Sequence, residues 1–462
     1  LKMKKYYLLL LTAFLSIACS EDSSQKNSNN EETIKTPVNF PYTFGKKPAD
    51  GKEIYIPIEL KQNDFTSKSS KWCYQRSASS DNIIVFWEAG FGADPTVTPK
   101  VSMQVNLRNF MDKAEKFYAY YRDEMKFVEK GKSKSDTYRM IVMLVYQEEW
   151  LATGSGYDDV IGALWVNPAT TQPVGHVIAH EFGHSFQYQA KCDGHYGFRD
   201  QNYVGSFWEQ CAQYMAWQQY PTEFTRDLPF LLKNIHKNFS HEDIRYESIY
   251  LMEYWKQKHG KEFLGRVWNE AVDAEHPIET YKRITKINQE QFNDEVFEYA
   301  CKNITWDYPL GEYNNIFINA LSKTEQEEYK HKTSLTAVGD GYFQISSNQI
   351  PQSYGYNAIK LEVPATGTNV SVSFEGLEGN WKTIAGWRWG FVAINTQNKP
   401  VYGTIQRDSK GVASIVIPEN CKELWLVVTG APTQHTNHVW DDKSDNDENF
   451  PYKIKLTNTS LK

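Results

Sequence analysis

No block of like charge dominates this sequence. Its 50 lysine and arginine residues and 57 aspartate and glutamate residues are spread over 462 positions and leave a formal net charge of −7. Nucleic acid is therefore not an expected partner. Long apolar runs are equally scarce. The longest, Tyr6 to Ala18, is too short to span a bilayer. Cysteine is sparse: beside Cys19 there are Cys73, Cys192, Cys211, Cys301 and Cys421, an odd set that allows at most two disulfides. Spacing fixes no pairing, and Cys192 and Cys211 could bridge or stay as buried thiols. No internal repeat is found. What the chain has is 40% hydrophobic and 15% aromatic residues, enough for two or three packed domains.

Lys2, Lys4 and Lys5, the apolar run and Cys19 follow the order of a secretory signal. Ser16-Ile17-Ala18-Cys19 resembles a bacterial lipobox, with Ser16 where leucine is usual. The resemblance implies residues 1–19 as a lipoprotein signal and a membrane contact through lipid on Cys19. Ser20-Glu21-Asp22 resembles the acidic signal that sends some lipoproteins of the Bacteroides group to the outer surface. The expected location is thus the bacterial outer membrane, at the cell surface. Residues 20–37, rich in Ser, Asn, Glu, Lys and Gln, cannot bury enough surface to fold and read as a tether.

Residues 38–325 read as one α+β domain with a mainly helical second part, 38–190 and then 191–325. Asp81 to Trp87, Tyr138 to Tyr146 and Val160 to Val166 have strand patterns, and the middle one is apolar enough for a central strand. Asn106 to Phe127 has a helical period. A further helix is predicted from about Pro173 to Ala190, with Thr170 or Thr171 capping it. Beyond it, Phe207 to Gln219, Ser240 to His259 and Lys261 to Val272 read as helices, Ser240 and Asp243 as a capping box and Gly260 as a stop. From 338 to 462, β-branched and aromatic runs broken by Gly, Pro and Asn predict an all-β sandwich.

Chemistry concentrates at His180-Glu181-Phe182-Gly183-His184. Two histidines four positions apart share one helix face, so both imidazoles can reach a single ion. With a carboxylate as third ligand the donor set suits zinc, leaving a position for water, from which Glu181 would take a proton. Glu209, on the predicted helix Phe207 to Gln219 with Gln213 and Ala216 on its stripe, is one candidate for that third ligand. The alternatives lie between the helices: His195 above all, then Asp193 and Asp200. His176, one turn before His180, is expected at the edge of the site.

These segments resemble the HExxH metallopeptidases called zincins, in which a strand bordering the cleft precedes the active-site helix. The resemblance spans about Tyr138 to Gly260. Gln187 and Ala190 stand where the metzincin branch requires glycine and histidine, whereas Glu209 resembles the acidic ligand on the second helix of gluzincins, which makes it the expected third ligand. More distantly, the spacing is similar to the mucin-directed, enhancin-like group. The resemblance implies a zinc endopeptidase of extracellular protein or glycoprotein, with Glu181 as general base and Tyr246 or His241 as donor to the oxyanion. Tyr246, Tyr250 and Tyr254 also fit a core stripe. The other reading is a surface glycan- or protein-binding lipoprotein with an inactive zincin fold, in which Trp381, Trp387, Trp389, Trp425 or Trp440 of the β region could stack on sugars. Asp441 to Glu448 lacks the glycine of a calcium loop and reads as a solvated loop.

Overall fold

A computed structural model of the protein describes residues 40–198, 206–311, 313, 315–316, 321–322, 324–325, 331–441 and 443–462. The signal, lipobox and tether expected at 1–37, and Asp200, lie outside them. Among the described residues no helix is long and apolar enough to cross a membrane.

The chain begins with a mixed sheet of β1 (Thr43–Phe44), β2 (Ser77–Ser79), β3 (Ile83–Trp87), β4 (Met140–Leu144), β5 (Ala152–Tyr157) and β6 (Ile161–Val166), in the order β1-β2-β3-β4-β6-β5. β3, β4 and β6 run parallel, and β5 is antiparallel to β6. Every residue of β4 is buried, as its apolar run requires of a strand covered on both faces. α1 (Leu107–Ala119) starts at Asn106, whose side chain accepts the Asn109 amide. It stops short of the predicted Phe127 because the chain widens into one π turn, Tyr120–Glu124.

Two expectations next to the motif change. The strand predicted over Val160 to Val166 is not the one at the border: β6 lies inside the sheet, and β5 forms the edge. β5 escapes a hydrophobic reading because Thr153-Gly154-Ser155-Gly156 offers no apolar alternation. The predicted helix is also two pieces, α2 (Pro168–Thr171) and α3 (His176–Cys192), with Pro173 between them rather than in a first turn.

The helical part follows with α4 (Phe207–Gln219), α5 (Phe224–Asn234), α6 (Tyr250–His259), α7 (Phe263–Asn269), α8 (Pro277–Thr285) and α9 (Gln289–Lys302). α4 has the predicted bounds. The helix expected from Ser240 does not form there; instead the His241 ring accepts the Asp243 amide and caps a single turn, Glu242–Ile244, so α6 begins only at Tyr250. Tyr246 is therefore outside the helical stripe of Tyr250 and Tyr254. Gly260, at φ 101°, ends α6 as expected.

The C-terminal strands are antiparallel: β7 (Leu335–Gly339), β8 (Tyr342–Ile345), β9 (Tyr356–Leu361), β10 (Asn369–Gly376), β11 (Trp387–Asn395), β12 (Pro400–Tyr402), β13 (Lys410–Val416), β14 (Cys421–Gly430) and β15 (Tyr452–Thr457). They form sheets of order β13-β10-β15-β8-β7 and β12-β11-β14-β9. β14 is buried on both faces: Leu424, Leu426 and Val428 fill the core between the sheets, while Trp425 and Val427 join the core of the helical part. Arg388 of β11 and Asp294 of α9 pair at 2.7 Å on that side. The protein is thus mixed α/β followed by antiparallel sheets.

Candidate metal centre

α3 and α4 pack so closely that a Cβ on Gly183 would lie 3.2 Å from the Ala212 Cα. This brings Glu209, in the first turn of α4, against His180 and His184 of α3. Glu209 Oε2 lies 3.1 Å from His180 Nε2 and 3.0 Å from His184 Nε2. The three residues form a group that could hold a metal ion.

The outer ring nitrogens fix the tautomers. Gln213 Nε2 donates to Asp227 Oδ2 at 3.0 Å, which turns its Oε1 toward His180 Nδ1, also at 3.0 Å. Gln187 Nε2 donates to the Trp208 carbonyl at 2.9 Å, which turns its Oε1 toward His184 Nδ1 at 2.7 Å. An amide oxygen only accepts, so each Nδ1 carries the proton and each Nε2 presents its lone pair to Glu209. Three electron-rich atoms this close repel unless positive charge sits among them. Two imidazoles and a carboxylate fit zinc. Burial works against the charge of Glu209, and only positive charge beside it, on the His184 and His180 rings or on an ion held between them, keeps its carboxyl well below the usual range.

Glu181 is buried on the other side, toward β5. A Cβ on Gly154 would stand 2.1 Å from the Glu181 carbonyl oxygen and 2.7 Å from the His184 Cβ, so only glycine lets the edge strand lie this close. The Gly154 backbone amide faces the Glu181 carboxyl. Burial pushes that carboxyl up to about 7, helped by Glu209 and opposed by His180 and the Gly154 amide.

The remaining expectations separate. Tyr246 is 42% exposed, and its ring centroid is 6.2 Å from that of His180. His241 faces elsewhere, its ring stacked on His438 at 4.7 Å. His195 follows the end of α3, its amide bonded to the Ala190 carbonyl, outside the converging group. Asp193 is taken up by the Lys134 amide and Gln189. His176 is buried 6.5 Å from His180, centroid to centroid, and burial, then His180 and Arg226, push its imidazole down to about 3. Cys192 and Cys211 are free thiols, like Cys73, Cys301 and Cys421. Trp387, Trp389 and Trp425 are buried in the cores.

Several contributors escaped the sequence. Gln213 stood on the stripe of Glu209, four residues on, a spacing that marks a neighbour on the same helix face. Trp208 stacks on His184 at 4.8 Å and 9°, and Arg245 Nη2 lies 3.4 Å from Glu209 Oε1; neither position carried a signal.

Among solved structures, a xylan-binding domain of carbohydrate-binding module family 22 is 11% identical over 28% of this chain and 81% of its own, with a TM-score of 0.18. The C-terminal family 22 module of Clostridium thermocellum Xyn10B gives the same figures: 11%, 28%, 81% and 0.18. A glycosylation-associated protein complex, Gap123, from Streptococcus agalactiae is 12% identical over 27% of this chain and 39% of its own, with a TM-score of 0.16. Likeness of this size assigns neither fold nor ligand. No curated protein matches. Residues 46–462 match the profile of a family of unknown function, DUF6055, and since that match takes in nearly the whole sequence, the chain belongs to that family.

Proposed function

We propose that the protein is a zinc-dependent endopeptidase of gluzincin type, acting on extracellular protein or glycoprotein from an outer membrane to which lipid on Cys19 tethers it. One observation carries the reading: His180 Nε2, His184 Nε2 and Glu209 Oε2 converge while Gln213 and Gln187 hold the proton on the far nitrogen of each ring. Bound there, zinc would supply Lewis-acid chemistry, acidifying water and polarising a carbonyl.

The other steps belong to the chain. Glu181, buried beside the two ligating histidines, is suited to take a proton from the attacking water and return it to the departing amine. β5 pairs with β6 along one side only, and among the described residues no strand pairs with its other side. An extended peptide could add there as a further strand beside Glu181, which favours a peptide substrate. Tyr246, exposed with its ring centroid 6.2 Å from that of His180, is our candidate donor to the oxyanion.

Metal analysis and peptide hydrolysis test this together. Wild-type protein should hold zinc and cleave unfolded protein, and Glu181→Gln should hold zinc without cleaving. Wild type without stoichiometric zinc, or Glu181→Gln with undiminished proteolysis, contradicts the reading.

A further inference from the structure

His241, expected at the first centre, belongs to another group. His241, Glu242 and His438 also have donor atoms close enough to one another to hold one ion. His438 Nε2 lies 3.1 Å and His241 Nδ1 3.7 Å from Glu242 Oε2. Each ring turns its other nitrogen to a carboxylate of its own: His438 Nδ1 to Glu448 Oε2 at 3.6 Å, and His241 Nε2 to Asp447 Oδ2 at 3.4 Å. A carboxylate behind each imidazole, with the opposite nitrogens converging on a third carboxylate, is how histidines are oriented to ligate a metal.

The charges agree. Asp447 and Glu448 are 6% and 4% exposed, and Glu242 is half-buried with its side chain against both rings. Asn238 donates to Glu448 and Gln352 to Asp447, but these amides are neutral. Asp447 Oδ1 is buried with no hydrogen-bond partner, an atom that pays for desolvation unless positive charge is near. Two imidazoles do not balance three carboxylates without added protons or an ion. The competitor for His241 Nδ1 is the Asp243 amide, 3.0 Å away, which an ion would displace.

We propose that His241, Glu242 and His438 form a second site for a divalent ion of the zinc class, oriented by Asp447 and Glu448, which fastens the segment after β14 to the turn after α5. This segment also carries Trp440, on whose ring Arg245 lies at 5.4 Å while it contacts Glu209. The second ion thereby holds one wall of the first centre in place.

The test is zinc content of the full chain after chelation, reloading with zinc and dialysis. Two zinc ions per chain are expected in the wild type, one in His438→Ala, one in Glu242→Gln, one in His184→Ala and none in the His184→Ala, His438→Ala pair. Glu242→Gln keeps the side-chain shape and decides the matter if His438→Ala does not fold. One zinc that His184→Ala removes and both other variants keep overturns this site alone. One zinc that Glu242→Gln removes and His184→Ala keeps upholds this site and overturns the peptidase reading.

Discussion

Gln213 links His180 to Asp227: one end of its amide takes the proton of the ring and the other is held by the carboxylate, each at 3.0 Å. Without it His180 is free to choose the wrong tautomer or turn away from Glu209. Gln213→Met should keep the fold and weaken zinc binding by about 10- to 100-fold, read by competition with a chromophoric chelator. Asp227→Asn should weaken it less, because an amide can still hold Gln213.

The third ligand separates Glu209 from His195. Glu209→Gln should abolish tight zinc binding at this centre, whereas His195→Ala should leave it unchanged, since His195 stands outside the converging group. Equilibrium dialysis of both variants made with the second site disabled by Glu242→Gln checks this. The opposite pattern would move the ligand into the loop.

Much of this was legible in the sequence, for particular reasons. The His180 to His184 spacing and the Glu209 stripe are helical periodicities, and such patterns survive folding because the helices they predict, α3 and α4, form locally. β5 was not legible, because its place at the sheet edge depends on close approach to α3 rather than on apolar alternation. The start of α6 was misread because a histidine ring, not Ser240, caps the preceding turn. Gln187, useful in sequence only for what it excludes, turns out to orient His184.

Gly154 makes the edge strand a sharp target. A methyl there would meet the Glu181 carbonyl at 2.1 Å, a backbone atom that cannot rotate aside. Gly154→Ala should lower stability by about 1–3 kcal/mol. It should lower kcat/KM more than that loss explains, since Glu181 and His184 shift together. Urea unfolding and peptide kinetics on the same preparation separate the two effects.

His331 should tie stability to pH. It is buried between Trp306, Trp425 and Tyr356, and burial pushes its imidazole from 6.5 down to about 3. The folded state therefore binds this proton less readily than the unfolded state. Its contribution is intact above about 6.5 and falls as pH drops toward about 3, by up to about 1.4 kcal/mol per pH unit. His331→Phe, which loses the 2.9 Å contact with the Tyr356 hydroxyl, should be about 1 kcal/mol less stable at neutral pH and lose stability less steeply in acid. Urea midpoints across that pH range give the comparison.

Anomalous diffraction at the zinc edge, from wild-type crystals grown with zinc in excess of both proposed sites, tests the central claim most directly. The expected result is a peak about 2.0–2.2 Å from His180 Nε2, His184 Nε2 and a Glu209 carboxylate oxygen together. A map with no peak among these three residues, or one whose third protein ligand is His195, would contradict it.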